Sequence, residues 1–168
     1  MEIIAQAISI VGMLVSIFAL QFKTNRSLFI CRGISGLLFA LSYVLLGTYT
    51  AAAINLLNLV RSVFAINKKT RGNIFAAVVI AAYTAATVLT FNGYLSVMIL
   101  LANSVETIVM WRRNGGHIRI CQISFVSPIW LYHNIVTFSI GGILAEIFVI
   151  ASAVVSFFRF RKTGFDKN

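Results

Sequence analysis

The sequence predicts an all-α, polytopic membrane protein with seven transmembrane helices. Only 11% of the 168 residues are charged, apolar runs of about twenty residues recur along the chain, and basic residues occupy every second gap between these runs. A soluble domain carries roughly 25% charged residues, and a spanning helix needs about 20 mainly apolar residues. Most of the surface of this protein is therefore expected to face lipid.

The apolar runs follow one another with only short polar breaks, so the whole chain, 1–168, is expected to form a single membrane domain. The first run has no basic residue before it, which favours a retained spanning helix over a cleaved signal peptide. The breaks read "KTNRS", "GTYT", "NKKTRG", "NGY", "RRNGGHIR" and "SIGG". The predicted helices cover 3–22, 28–47, 48–66, 73–91, 95–113, 119–139 and 140–160.

The distribution of basic residues predicts the orientation of the chain. All fourteen Lys and Arg residues lie in or beside the first, third and fifth gaps and in the tail, and the other gaps have none. Short loops rich in Lys and Arg remain in the cytoplasm. The pattern therefore predicts an amino terminus outside and a cytoplasmic carboxyl terminus.

The same signs recur in the first three and the last three helices, which predicts a 3+1+3 arrangement. "FICRGIS" opens the second helix and "IRICQIS" opens the sixth, and each unit has a basic gap followed by a charge-free turn. Parallel repeats of this kind occur in transporters. The predicted parts are a first unit at 1–70, a linker helix at 71–93 and a second unit at 94–168.

The whole chain resembles the bacterial inner-membrane proteins of the YgjV type. The resemblance rests on "QFKTNRSLFICRGISGLLFALSYVLLGTYTAAAINLLNLVRSVFA" and "SPIWLYHNIVTFSIGGILAEI". It implies a multi-pass protein of the bacterial cytoplasmic (inner) membrane. More distantly, the 3+1+3 layout and Gln21 before "KTNRS" are similar to the SWEET and PQ-loop transporters. Leu20 stands where those proteins have proline, and Glu146 stands in the last helix where they have asparagine.

Polar residues inside the predicted helices are candidates for a substrate site, because a charge at mid-bilayer costs about 2.5–3.5 kcal/mol or more. Glu146 and Asn55 are each expected roughly 9 Å below the outer end of their helices. Trp130 is a candidate wall of the site and Pro128 a candidate hinge. The predicted substrate-binding residues are Tyr43, Asn55, Asn58, Trp130, His133, Asn134 and Glu146.

Two alternatives stay open for these residues. The asparagines can simply bridge helices, and Glu146 can form a structural pair with His133. A second pair, Asn103 and Glu106, is spaced i, i+3 and lies nearer the cytoplasmic side. Glu106 is expected to line the inner half of a path or to pair with Arg61 or Arg32 as a cytoplasmic clamp.

The sequence favours a small-solute transporter working by alternating access, with the proton as a candidate coupling ion. The alternative is a non-transporting partner subunit or sensor with a closed polar core. The chain contains no P-loop, HExxH, GxSxG or CxxC motif, and two cysteines and two histidines make no recognised metal site. We therefore predict no enzyme activity, cofactor, metal or nucleic-acid partner; the predicted partners are the bilayer and a solute, and the oligomeric state stays open.

Overall fold

A computed structural model describes residues 2–66, 73–91, 93–112, 114–137 and 139–161, and within these ranges all regular secondary structure is helical. The prediction of an all-α membrane protein is confirmed at this level. Each described helix begins and ends within four residues of its predicted bounds, except that the fifth gap is followed by a composite element. The helices are α1 (Glu2–Gln21), α2 (Asn25–Leu45), α3 (Tyr49–Ile66), α4 (Asn73–Leu89), α5 (Tyr94–Trp111), α6 (Gly115–Cys121), a π-helical segment (Gln122–Val126), α7 (Ser127–Val136) and α8 (Ile140–Arg161).

The sixth predicted helix is a continuous rod made of α6, the π-helical segment and α7. Pro128 lies in the first turn of α7, immediately after the π-helical segment. Proline cannot donate a backbone hydrogen bond, and its ring clashes with the carbonyl four residues earlier. The chain accommodates this by widening one turn, in which the Ser127 amide donates to the Gln122 carbonyl five residues back.

Four helices within the described ranges are long and apolar enough to cross a membrane: Ile3–Gln21, Asn25–Leu45, Tyr94–Trp111 and Ile140–Phe160. Asn73–Leu89 is a shorter apolar helix. At 1.5 Å per residue it is roughly 25 Å long, slightly less than the hydrocarbon core of a bilayer.

Six of the seven rods close into a ring. The rod α2 packs against both α1 and α3, and α8 packs against α1 and the α6–α7 rod. The ring closes where α5 contacts α3 on one side and the α6–α7 rod on the other. The remaining helix, α4, packs against α3 and α5. We call the end of this ring where residues 21, 66, 111 and 161 lie the basic end, and the other the charge-poor end.

The outer surface of this ring is apolar and its interior is polar. Ile3 and Leu89 expose 86% and 85% of their surface, whereas Asn103, Thr107 and Ser127 are fully buried. In water such an arrangement would be unfavourable, because large apolar side chains would remain hydrated. In lipid it places apolar side chains outside and leaves polar groups to satisfy one another inside.

Arg119 holds three elements together at the basic end. Its side chain is 1% exposed and donates to the Gly115 carbonyl and the Ser156 hydroxyl, both at 2.9 Å. One terminal nitrogen also donates to the Leu20 and Phe22 carbonyls at 3.0 Å. These two carbonyls belong to the carboxyl end of α1, where helix carbonyls lack intrahelical partners. Arg119 thereby ties α1 and α8 to the start of α6.

Candidate functional site

A polar cavity of about 90 Å³ lies inside the ring. Most of its wall comes from α2, α3, α5 and the α6–α7 rod, and α8 closes the remaining side. The side chains that carry its chemistry are Ser16, Arg32, Tyr43, Asn55, Asn58, Arg61, Asn103, Glu106, Gln122, Trp130, Asn134 and Glu146. Charged and amide groups of five helices and the π-helical segment therefore face one small space.

Towards the basic end, the cavity is bounded by three charged side chains that we call the ion cluster: Arg32, Arg61 and Glu106. Glu106 is 5% exposed and forms salt bridges with both arginines; its Oε2 lies 2.8 Å from Arg61 Nη1. Arg32 also donates a hydrogen bond to Gln122 in the π-helical segment. The cluster thus joins α2, α3, α5 and the sixth rod across the ring.

Towards the charge-poor end, the cavity is bounded by a hydrogen bond that we call the latch. The Tyr43 hydroxyl donates to Asn134 Oδ1 at 3.0 Å. The Tyr43 ring stacks on Trp130, with centroids 6.4 Å apart. A Cβ atom built on Gly142 would lie 2.5 Å from Asn134 Oδ1. Glycine at this position therefore allows Asn134 to lie between α7 and α8.

Three polar residues lie between the ion cluster and the latch. Asn55 donates to the Ala51 carbonyl at 2.9 Å, and Asn58 accepts from the Tyr83 hydroxyl of α4 at 2.6 Å. Glu146 has a different environment, because its buried Oε2 has no hydrogen-bond partner among the described residues. Buried polar atoms are almost always paired, so this oxygen is available to a proton, a water molecule or a solute.

Asn103 occupies the wall of the cavity one turn from Glu106. Its amide nitrogen donates to the Ile99 carbonyl at 2.8 Å, which leaves the side-chain oxygen buried and unpartnered. The site therefore holds two unpartnered acceptors, one on α5 and one on α8.

A comparison with known protein families shows to which family the chain belongs. The model of a family described as bacterial inner membrane protein, Imp-YgjV, matches residues 3–164. The chain belongs to this family. The match covers nearly the whole sequence and places this YgjV-type protein in the bacterial inner membrane, as predicted. No curated protein and no solved structure matches it.

His133 was predicted to lie among the substrate-binding residues, but it does not line the central cavity of this YgjV-type protein. It lines a second cavity of about 440 Å³ at the charge-poor end, between the α2–α3 turn and the start of α5. Its ring meets Trp130 edge-on at 5.6 Å, and its buried Nδ1 has no hydrogen-bond partner. Neighbouring residues on a helix point about 100° apart, so Asn134 faces the central cavity and His133 does not. The salt bridges and hydrogen bonds of the described residues do not include a pair between His133 and Glu146, which was the alternative expectation.

The remaining predicted residues of this YgjV-type protein lie as follows. Trp130 lines the central cavity, and Pro128 begins α7 instead of interrupting the middle of a regular helix. Asn55, Asn58, Asn134 and Glu146 line one cavity, but the latch of Tyr43 and Asn134 lies about a helical turn closer to the charge-poor end than Glu146. The predicted single layer is therefore two successive levels.

Several residues at the site were not among the predicted ones, including Ser16 and Gln122 in the wall of the cavity and Ser127 beside Gln122. Gln122 donates to the Ser127 hydroxyl at 2.7 Å while accepting from Arg32. A signal for Gln122 was present in the sequence, because Gln122 follows Cys121 as Arg32 follows Cys31. The signal for Ser127 was its spacing from Trp130 and Asn134, which at i, i+3 and i+7 places the three residues on one helix face.

Proposed function

We propose that this inner membrane protein is a small-solute transporter that works by alternating access, with the central cavity as its occluded site. One observation carries the proposal: a buried carboxylate oxygen of Glu146, without a partner among the described residues, faces the same cavity as two separate side-chain contacts, the ion cluster and the latch. We propose that these two contacts are the closures of the site. Opening one closure at a time would expose Glu146 to one end of the ring and then to the other.

The helix packing supports two three-helix units with α4 as the linker. In each unit the middle rod contacts both of its partners: α2 lies between α1 and α3, and the α6–α7 rod lies between α5 and α8. Between the units, first rods meet third rods, because α1 contacts α8 and α3 contacts α5. This is the pattern expected of two parallel repeats related by an axis along the membrane normal.

The hydrogen bonds support the same arrangement in register. The caps of α2 and α6, Thr24 and Asn114, are both extended and lie 90 positions apart. Arg32 bonds Gln122, also 90 positions away, and Tyr43 bonds Asn134, 91 positions away. The π-helical segment between Gln122 and Asn134 accounts for the extra residue, since a π turn holds one more residue than an α turn. Residues at matching positions of the two units therefore meet across the cavity.

The register gives Glu146 a counterpart in the first unit. Asn55 lies 91 positions before Glu146, and both line the cavity. The proposed site is thus asymmetric at matching positions, with an amide on α3 and a carboxyl group on α8. With the basic end in the cytoplasm, as the distribution of Lys and Arg predicts, the ion cluster is the inner closure and the latch is the outer one.

The cavity limits the solute that the occluded state can hold. Water occupies about 30 Å³ per molecule in the liquid, so 90 Å³ accommodates a solute of only a few non-hydrogen atoms. Glu146 Oε2 and Asn103 Oδ1 are both acceptors. They favour a solute that donates hydrogen bonds, such as a small amine, amide or polyol.

Transport by reconstituted protein tests the proposal. Proteoliposomes would be assayed with a panel of radiolabelled small amines, amides and polyols, using protein-free liposomes as the blank. We expect uptake of the transported solute to fall by at least about tenfold in Glu146→Gln, since hydrogen bonds to a charged group contribute about 1.5–3 kcal/mol. Glu2→Gln, at the amino end of α1, is the matched control. Uptake that Glu146→Gln leaves unchanged would remove Glu146 from the mechanism.

Loosening the latch is expected to increase access from the charge-poor end. With Cys31 and Cys121 replaced by serine, Asn55→Cys provides one thiol in the cavity for membrane-impermeant methanethiosulfonate reagents. Tyr43→Phe removes the bond to Asn134, which contributes about 0.5–1.5 kcal/mol. We expect labelling from the charge-poor end to become about three- to tenfold faster.

Tyr132→Phe is the control for the latch experiment. Its hydroxyl pairs with that of Tyr94 at 3.2 Å on the exposed surface, away from the cavity. We expect this variant to leave the labelling rate unchanged. Equal rates for Tyr43→Phe and Tyr132→Phe would mean that the latch does not close the cavity.

A specific observation favours the second candidate function, a non-transporting subunit or sensor with a closed polar core. Asn58 bonds the Tyr83 hydroxyl of α4, as a bridging amide does, and Asn55 bonds the Ala51 carbonyl of its own helix. This alternative predicts that the Asn55→Cys thiol reacts from neither end of the ring.

A further inference from the structure

Each asparagine in the wall of the central cavity uses one atom of its side-chain amide within the protein. Two of them donate through the amide nitrogen to the carbonyl four residues earlier: Asn55 to Ala51 at 2.9 Å and Asn103 to Ile99 at 2.8 Å. A backbone carbonyl only accepts, so this bond fixes which way each amide points. Asn55 and Asn103 therefore keep their side-chain oxygens, which accept hydrogen bonds, for a molecule in the cavity.

The other two asparagines of the wall are held by the opposite atom. The Tyr83 hydroxyl of α4 donates to Asn58 Oδ1 at 2.6 Å, and the Tyr43 hydroxyl donates to Asn134 Oδ1 at 3.0 Å. The hydrogen bonds of the described residues use neither amide nitrogen. Asn58 and Asn134 therefore keep their NH₂ groups, which donate hydrogen bonds.

The cavity thus offers both donors and acceptors to a solute. The donors are the NH₂ groups of Asn58 and Asn134, and the acceptors are the free oxygens of Asn55, Asn103 and Glu146. The carbonyl oxygen of an amide or urea accepts two hydrogen bonds and its NH₂ group donates two. An amine would leave the two donors of the cavity unpaired, and a ketone would leave its acceptors unpaired. Buried polar groups left unpaired are the basis of strong discrimination between solutes.

We infer that the central cavity takes a small neutral solute with an unsubstituted amide or urea group, and that Tyr83 is a positioning residue that sets this specificity through Asn58. The inference rests on the proposed function, because it names the solute class of the same site.

The position of Tyr83 suits this role. Tyr83 is fully buried and belongs neither to the ion cluster nor to the latch. Its helix, α4, packs against α3 and α5 outside the ring, and the hydroxyl group reaches Asn58 in the wall of the cavity. Without this bond the Asn58 amide is free to rotate and to present its oxygen, so the cavity would lose one of its donors.

The charge of Glu146 is the competing explanation of specificity, because a carboxylate by itself selects a cation. Acetamide and isopropylamine distinguish the two explanations. They have the same number of non-hydrogen atoms, but isopropylamine is a cation that only donates. Selection by charge predicts tighter binding of isopropylamine, and selection by the asparagines predicts tighter binding of acetamide.

Equilibrium dialysis of the purified full-length protein against radiolabelled acetamide or isopropylamine measures both affinities. We expect acetamide to bind at least about tenfold more tightly, and unlabelled acetone, which only accepts, to displace it at least about tenfold less well than urea. Tyr83→Phe should lower the ratio of the two affinities about fivefold, as expected for one lost hydrogen bond.

Tyr132→Phe, which removes an exposed hydroxyl group away from the cavity, is the control and should leave the ratio unchanged. A purely structural role of Tyr83 would weaken both compounds equally. An equal loss for both compounds, isopropylamine bound as tightly as acetamide, or no retention of acetamide by the wild-type protein would each overturn the inference.

Asn58→Asp provides a second test that does not depend on the folding of Tyr83→Phe. A carboxylate accepts from Tyr83 as the amide oxygen does, but it replaces the NH₂ donor with an acceptor. We expect acetamide affinity to fall about tenfold and isopropylamine affinity to rise. Asn55→Asp adds the same charge on the same helix at a residue that already presents an oxygen, and should change acetamide affinity by less than about threefold. Equal losses of acetamide affinity in the two variants would contradict the inference.

Uptake by proteoliposomes separates failure of this inference from failure of the proposed function. Retention of acetamide in dialysis without uptake would contradict alternating access and would leave the solute class standing. Uptake of a solute without an amide group, together with no retention of acetamide, would overturn the inference and leave the proposed transport standing.

Discussion

Replacing Arg119 by leucine is expected to lower the free energy of unfolding by about 3 kcal/mol. The substitution keeps the apolar stem but removes every donor, which leaves the carbonyls of Leu20, Phe22 and Gly115 without the bonds that Arg119 supplies. Each buried acceptor that loses its partner costs about 1–3 kcal/mol. Part of this loss is offset because a buried charge no longer has to be desolvated.

The measurement is the unfolding equilibrium in mixed micelles, followed by circular dichroism. Arg112→Leu, an exposed arginine at the same end of the ring, is the matched control and should change the free energy by less than about 0.5 kcal/mol. Arg119→Lys should fall between the two, since an ammonium group has three donors and no planar fork. Equal stability of Arg119→Leu and Arg112→Leu would show that Arg119 does not tie the helices together.

Glu106→Gln is expected to be similarly destabilising, by about 3–5 kcal/mol. It removes the single acid between Arg32 and Arg61, whose side chains are then left buried with like charge. Glu146→Gln makes the same chemical change at a carboxyl group that forms no salt bridge among the described residues. Glu146→Gln should therefore lower the free energy of unfolding much less. The ratio of the two effects separates the loss of an ion pair from the loss of a carboxylate.

A second substitution tests the cause. Adding Arg32→Gln to Glu106→Gln removes one of the two uncompensated charges and should restore at least about 1 kcal/mol. Two results would show that the ion cluster is not held together by charge. One is an equal loss of unfolding free energy in Glu106→Gln and Glu146→Gln. The other is a further loss when Arg32→Gln is added to Glu106→Gln.

The positions of the helices could be predicted because lipid imposes a simple rule on composition. An apolar run of sufficient length becomes a helix, since no other segment satisfies its own backbone in hydrocarbon. The partnership of Glu106 with Arg61 or Arg32 was also foreseeable, because few charges are present and a buried acid needs a cation. The 3+1+3 arrangement remains a prediction, which the packing of the helices supports. The orientation of the termini also remains a prediction and rests on the distribution of Lys and Arg alone.

The face presented by each residue could not be predicted in the same way. The π-helical segment before Pro128 shifts the register of the sixth rod, and a regular helix drawn through this region misplaces the side chains after it. His133 was expected near Glu146 because the two residues lie at a similar depth. Depth does not give the face of a helix, since neighbouring residues point about 100° apart, and His133 lines the second cavity. The hydrogen bond from Gln122 to Ser127 depends on the same widened turn, which no pattern in the sequence predicted.

The central claim is that one buried cavity opens to each end of the ring in turn. Labelling of Asn55→Cys with impermeant methanethiosulfonate, in right-side-out and in inside-out membrane vesicles, tests it most directly and requires no knowledge of the solute. Alternating access predicts that the thiol reacts in both preparations, and that Tyr43→Phe and Glu106→Gln accelerate the reaction from opposite ends. Reaction from neither end, or from one end only in all variants, would contradict the account.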